Sequence, residues 1–489
     1  MKRILLFAVL ATLFLLAGCG YGSGNGSTGG NGGGITPQGN FSVSSLSGQY
    51  TYQMNGTELT NNSFLAFSES GIFTADGKGN ISNGTDDIVP NTPTSSFTAT
   101  YSVANDGTGF IQINNGREFA ITMVSSSKFY LTEIDGAANI SGVGEQQTAS
   151  ALNAVPDGKF VFRIHNEGTL NGSLAQVGLL TLSGGVGSGN EDVLDSNGTA
   201  SSPTLTASFN APVSGGRGTG TLTDSNGTLS FQYYIVNAST INIMPTALNA
   251  TSILGTGRAE LQSGAPFAAG SLNGGYAFGS RGDTQSVGGS ETVGRFTAGG
   301  DGTISAGAED FVLDGVSGTN DSFTGSYTMA SNGRAQVSLT SQSFGSVSET
   351  LWMVSPARAF FLDASTTKVE DGSIDLQSTS TFSNANVTGQ SAFFMTGNNS
   401  SDLIDRIGTL IWDGKGGVTV NEIINATGLV NNVVIPGGTV QVTSNGRAVA
   451  NVSGLSANLV FYLTSTGSGY MLQNDSATQI GGVAALQSQ

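Results

Sequence analysis

Gly71-Ile72-Phe73-Thr74-Ala75-Asp76-Gly77-Lys78-Gly79-Asn80-Ile81-Ser82 reads as two strands hinged on an Asp-Gly turn. The same stretch returns as Gly294-Arg295-Phe296-Thr297-Ala298-Gly299-Gly300-Asp301-Gly302-Thr303-Ile304-Ser305. A third copy is Gly408-Thr409-Leu410-Ile411-Trp412-Asp413-Gly414-Lys415-Gly416-Gly417-Val418-Thr419, and a degenerate one opens at Gly178-Leu179-Leu180-Thr181. Its surroundings repeat in phase. Each unit opens on a Gly-and-aromatic segment or its remnant (Gly48-Gln49-Tyr50, Gly158-Lys159-Phe160, Gly274-Gly275-Tyr276, Gly389-Gln390-Ser391). Each closes on a similar end, Glu145-Gln146-Gln147, Glu260-Leu261-Gln262, Asp375-Leu376-Gln377 or Leu486-Gln487-Ser488. The period implies four tandem units, 46–150, 151–265, 266–380 and 385–489, each long enough to fold around its own core.

The local pattern is that of strands. Phe97-Thr98-Ala99-Thr100-Tyr101-Ser102-Val103 alternates apolar with polar residues, and Phe323 to Met329 repeats it. Turn dipeptides such as Asn83-Gly84, Asp106-Gly107, Asn226-Gly227, Asn332-Gly333 and Asn445-Gly446 punctuate such runs, and no window keeps a helical period. The chain is therefore read as all-β. In the first unit the strand-like runs lie near 49–54, 63–75, 79–88, 96–103, 109–113, 118–124, 128–134 and 142–149. Short links favour sequential antiparallel pairing, which closes into an eight-stranded up-and-down barrel without exposed edges. An immunoglobulin-like sandwich is the alternative. The leading Gly-x-Tyr and the eight-strand length give each unit a resemblance to the calycins (lipocalins and avidins), which implies a barrel with a ligand-sized interior.

The N-terminus carries a second resemblance. Lys2 and Arg3 precede an apolar run from Ile4 to Leu16, followed by Leu16-Ala17-Gly18-Cys19. This resembles the signal peptide and lipobox of bacterial lipoproteins. The resemblance implies cleavage between Gly18 and Cys19, lipidation of Cys19, and a membrane as the partner of that anchor. Gly20 in place of an aspartate points, within that family, to the outer rather than the inner membrane. Residues 19–45 form the lipidated end and a Gly/Ser/Asn-rich tether.

Composition narrows the function. The net charge is −17, with charged residues at only 10%, so a phosphate-neutralising basic surface is excluded and no nucleic-acid partner is expected. Cys19 is the only cysteine and His165 the only histidine, which excludes zinc sites built from those residues; no cofactor is implied. His165 lies in Phe160-Val161-Phe162-Arg163-Ile164-His165 without a nucleophile-elbow motif, and reads as a strand-end residue. The Asp76 and Asp413 turns lack the ligand spacing of calcium loops and read as hairpins. Arg281-Gly282-Asp283 reads as a chance tripeptide in a Gly-rich loop.

One charged pattern recurs. Acidic positions follow the signature at Asp86-Asp87, Glu191-Asp192, Glu309-Asp310 and Glu422, and an arginine comes about 25 residues later at Arg217, Arg334 and Arg447, with Thr108 in the first unit. These read as structural carboxylate–arginine pairs within each unit, Glu191 with Arg217, Glu309 with Arg334 and Glu422 with Arg447. The expectation is a non-enzymatic, surface-anchored protein using tandem β-modules for binding, adhesion or envelope structure. Carriage of apolar ligands inside the barrels is the alternative, and a carboxylate-based hydrolase a third reading.

Overall fold

In the computed structural model of the chain, the described residues are 39–60, 63–89, 92–135, 138–166, 174–195, 200–246, 255–284, 289–363, 368–399, 402–452, 458–476 and 478–488. Gly18, Cys19 and most of the tether lie outside them. The described residues form strands and short 3-10 turns, with no α-helix.

The first unit pairs β1 (Ser47–Thr60), β2 (Ser63–Asp76), β3 (Asn80–Val89), β4 (Thr92–Val103), β5 (Thr108–Ile113), β6 (Glu118–Ser125), β7 (Lys128–Glu133) and β8 (Ala138–Gln146) in order, and β8 closes on β1. Closure runs antiparallel from Tyr50↔Gln146 to Glu58↔Ala138. Eight strands within 273–376 and eight within 388–486 close in the same way. In the second unit eight strands also close, through the pairing of Leu174–Ser183 with Val186–Asp195, while the two-residue strand Ala200–Ser201 sits outside as a stub. All four units are thus antiparallel barrels, not sandwiches.

The signature forms the β2–β3 hairpin, and its glycines have physical jobs. A Cβ at Gly71 or Gly294 would press into the ring of Tyr52 or Phe278 across the strand pair. The turn glycines Gly79, Gly302 and Gly416 have φ of 102°, 96° and 112°, which side-chain-bearing residues adopt only at a cost. The turn carboxylates serve the backbone. Asp76 Oδ1 accepts the N–H groups of Lys78 (2.7 Å) and Asn80 (2.9 Å), and Asp413 Oδ1 those of Lys415 (2.7 Å) and Gly417 (2.8 Å).

Each barrel holds its own packed apolar core. Tyr50 stacks on Phe73 with centroids 5.6 Å apart, and the equivalent Tyr276–Phe296 pair repeats that distance. In the fourth barrel Ser391 stands where the tyrosine is lost, and Trp412 occupies the place of Ala75 and Ala298. Its indole N–H donates to Ser391 Oγ at 3.0 Å. The lost volume is restored by a neighbour, as dense packing demands.

The barrels are held to one another by the residues that close each unit. Gln147 Nε2 donates to the carbonyls of Gly215 (2.9 Å) and Ile235 (2.6 Å) in the second barrel. Gln262 does the same to Asn332 and Met353, and Gln377 to Asn445 and Leu463. The fourth glutamine returns to the start: Gln487 Nε2 donates to Asp106 (3.0 Å) and Met123 (2.7 Å) of the first barrel. The residue after each glutamine adds a backbone bond of the same kind, Ser488 N to Val124 O at 2.9 Å being the last. The four barrels therefore close into a ring, and the links between units are pinned rather than free to bend.

Candidate functional site

The recurring acidic positions separate by strand alternation, since successive side chains face opposite sides of a sheet. In the first three units the first acid points into its own barrel and the second points outward to the next barrel. Asp87 accepts a two-pronged bond from Arg217 of the second barrel, 2.5 Å from Nε and 2.7 Å from Nη2, and a third bond from the hydroxyl of Tyr234. Asp192 accepts Nε (2.9 Å) and Nη2 (2.6 Å) of Arg334 and the indole N–H of Trp352 (2.8 Å), both from the third barrel. Asp310 accepts Nε (2.7 Å) and Nη2 (2.6 Å) of Arg447 and the hydroxyl of Tyr462 (2.7 Å) from the fourth. Burial alone would raise the Asp87 pKa, but the bonds from Arg217, Thr94 and Tyr234 hold it below the usual carboxylate range.

This corrects the pairing inferred from sequence. Arg334 does not serve Glu309, nor Arg447 Glu422, nor Arg217 Glu191; each arginine reaches back to the preceding barrel. Glu422 instead takes both prongs of Arg406 in its own barrel, at 2.9 and 2.6 Å. Glu191 accepts a long bond from Gln176 (3.4 Å), and burial lifts its pKa to about 8. Glu309 is likewise lifted to about 8 by burial, in the mouth of the third barrel. That mouth is a cavity of about 570 Å³, where Glu309, Glu349, Asp363 and Glu370 surround Lys368 beside Phe278 and Phe344.

The junction of fourth and first barrels departs from the pattern. Ile423 stands at the place of the outward acid, and Thr108 and Thr122 at those of the arginine and its aromatic partner. Ile423 packs into an apolar cluster with Ala120, Tyr130, Ala392 and Ile407. Both charged partners are absent together, which avoids the cost of one buried, uncompensated charge.

At the centre of the ring lies a cavity of about 560 Å³, open to solvent and lined by all four barrels. Sequence reading missed it, because it is assembled from strand faces more than 300 residues apart. Five of the chain's 17 lysines and arginines line it (Lys128, Arg163, Arg258, Arg281 and Arg358) against four of its 34 acids (Glu145, Glu260, Glu291 and Asp371). A ladder crosses the barrels on this face. Arg258 bonds Glu145 (2.5 Å) and Glu260 (2.8 Å); Arg358 bonds Glu260 (2.8 Å) and Asp375 (2.8 Å); Tyr470 Oη donates to Asp375 at 2.5 Å. Burial acts to raise Glu145 and Glu260, yet the arginines keep both below their ordinary pKa.

His165 also faces this cavity, with Nδ1 against Asp371 of the third barrel, whose other oxygen lies 3.1 Å from Arg163 Nε. It is near the end of strand Gly158–Asn166. Arg281 lies on strand Asn273–Thr284, not in a loop, 3.2 Å from Glu291. The opposite wall is less polar: the rings of Tyr130 and Phe394 meet at a tilt, centroids 4.9 Å apart, next to Val143 and Val483. No protein-family model matches this chain, and no curated protein is similar to it at a significant level.

Proposed function

We propose that the chain is a non-enzymatic binding protein of the cell envelope, anchored by lipid on Cys19, whose four barrels build one shared receptor site at the centre of their ring. The central cavity carries this reading. Its walls come from every barrel, and its volume lies within the roughly 300–1,000 Å³ usual for small-molecule sites. Ring closure changes what repetition is for. Four copies in a closed ring add no length to a tether, but they place four sheet faces around one axis. The anchor then holds a single site near a membrane, with the tether setting its reach.

Native mass spectrometry of protein extracted gently from its own membranes tests the stoichiometry. One small molecule per chain, lost in Thr396→Trp, which adds bulk at the cavity wall, supports the central site. Occupancy unchanged by that substitution counts against it.

The mouth of the third barrel supports a second reading, carriage within a barrel. Its cavity of about 570 Å³ is also of ligand size. Retention of the molecule in Thr396→Trp, with loss in Glu349→Trp, favours that reading.

A further inference from the structure

Two features of the central cavity specify what it takes. The first is Lys128. The other four cations of the cavity are each engaged by a carboxylate: Arg163 by Asp371, Arg258 by Glu145 and Glu260, Arg281 by Glu291, Arg358 by Glu260 and Asp375. Among the described residues Lys128 has no carboxylate within salt-bridge distance; Glu145, its neighbour across the strand pair, and Glu260 act on it only at longer range, and both are held by arginines. Its Nζ lies 5.7 Å from the centroid of the Tyr130 ring, and burial acts to lower its pKa.

The second feature is the division of the walls. Barrels two and three contribute most of the charge, while barrels one and four contribute Tyr130, Val143, Phe394 and Val483. Phe394, Val143 and Val483 are only half-buried, so they present apolar surface to the cavity. Lys128 stands on Tyr130, where the two walls meet. A cation at the edge of an apolar wall matches a molecule with an anionic head and an apolar body. The head gives Lys128 the direct, close contact that arginine-bound Glu145 does not make, and the body covers the exposed rim of Phe394 and Val483.

The geometry points to the central cavity as a site for a small amphipathic organic anion, its anionic head on Lys128 and its apolar body against Phe394 and Val483. This rests on the reading of the ring centre as the receptor site. It assigns no catalytic step.

Three probes sharing one ring system test it: 2-naphthoate, 2-naphthalenemethanol and 2-naphthylmethylammonium, titrated calorimetrically into the full chain carrying Cys19→Ala. Expected is one naphthoate per chain, bound at least about tenfold tighter than the alcohol. Lys128→Met removes that preference, Lys128→Arg keeps it, and Thr396→Trp abolishes binding of all three. Circular dichroism confirms that each variant is folded. Tightest binding of the ammonium probe, or a naphthoate preference that survives Lys128→Met, overturns the anion assignment; sensitivity to Thr396→Trp then leaves the central site standing. Binding of no probe, or binding untouched by Thr396→Trp, overturns both.

Discussion

Arg447 of the fourth barrel closes both prongs of its guanidinium on Asp310 of the third, at 2.7 and 2.6 Å, and the carboxylate is fully buried between them. The relationship is of one unit to its predecessor, and it recurs twice along the chain. A pair of this kind confers orientation as well as attraction, because the two-pronged geometry fixes the angle between barrels. The fourth junction replaces it with apolar packing around Ile423.

Arg447→Met strands a buried carboxylate. A loss of about 3 kcal/mol is expected, in the range found when one partner of a buried pair is removed. The triple change Asp310→Ile, Arg447→Thr, Tyr462→Phe imports the character of the fourth junction and should cost clearly less. Urea denaturation of both variants checks this. A triple variant less stable than the single one contradicts the clasp.

Glu309 gives a pH signature. Its folded pKa of about 8 lies above the ordinary 4.5, so the fold favours the protonated acid. The associated stability is complete below the unfolded pKa and is lost as pH rises through the folded value. Glu309→Gln mimics the protonated form. It should raise the melting temperature at about pH 9 and leave it nearly unchanged at about pH 5. An equal shift at both pH values rules out titration of Glu309 as the cause.

The anchor has its own test. Growth with radiolabelled palmitate should mark the wild-type chain and leave Cys19→Ala unlabelled. Equal labelling of the two removes the lipid from the account.

The fold was legible where periodicity was strong. Alternation in β4 and β5 and the Asp-Gly turn of the signature are local signals, and they foretold strands and hairpins. β8 was less visible: Ala138, Asn139, Ile140, Ser141 and Gly142 are mostly small or polar, with little alternation, so the sequence-based strand starts at 142 and the real one at Ala138. The barrel-to-barrel pairing was written in the chain but misread. Thr108 breaks the arginine series in the first unit, and Ile423 breaks the outward acids in the last. Those two gaps together are the signature of a unit-to-predecessor pairing whose ends meet. Strand alternation at Glu309-Asp310 carried the same message, since adjacent residues on a strand cannot share a partner. The central cavity had no local signal, because no single unit contains it.

Ring closure is tested most directly by joining the first and last barrels. Asn421 Nδ2 of the fourth barrel lies 3.0 Å from Asp106 Oδ2 of the first. In a Cys19→Ala background, Asp106→Cys with Asn421→Cys places two cysteines in an otherwise thiol-free chain. The account predicts that mild oxidation, followed by electrophoresis without reductant, gives rapid and near-complete intramolecular disulfide formation in dilute solution. Free thiols, or only disulfide-linked dimers that grow with concentration, would show that the first and last barrels do not meet.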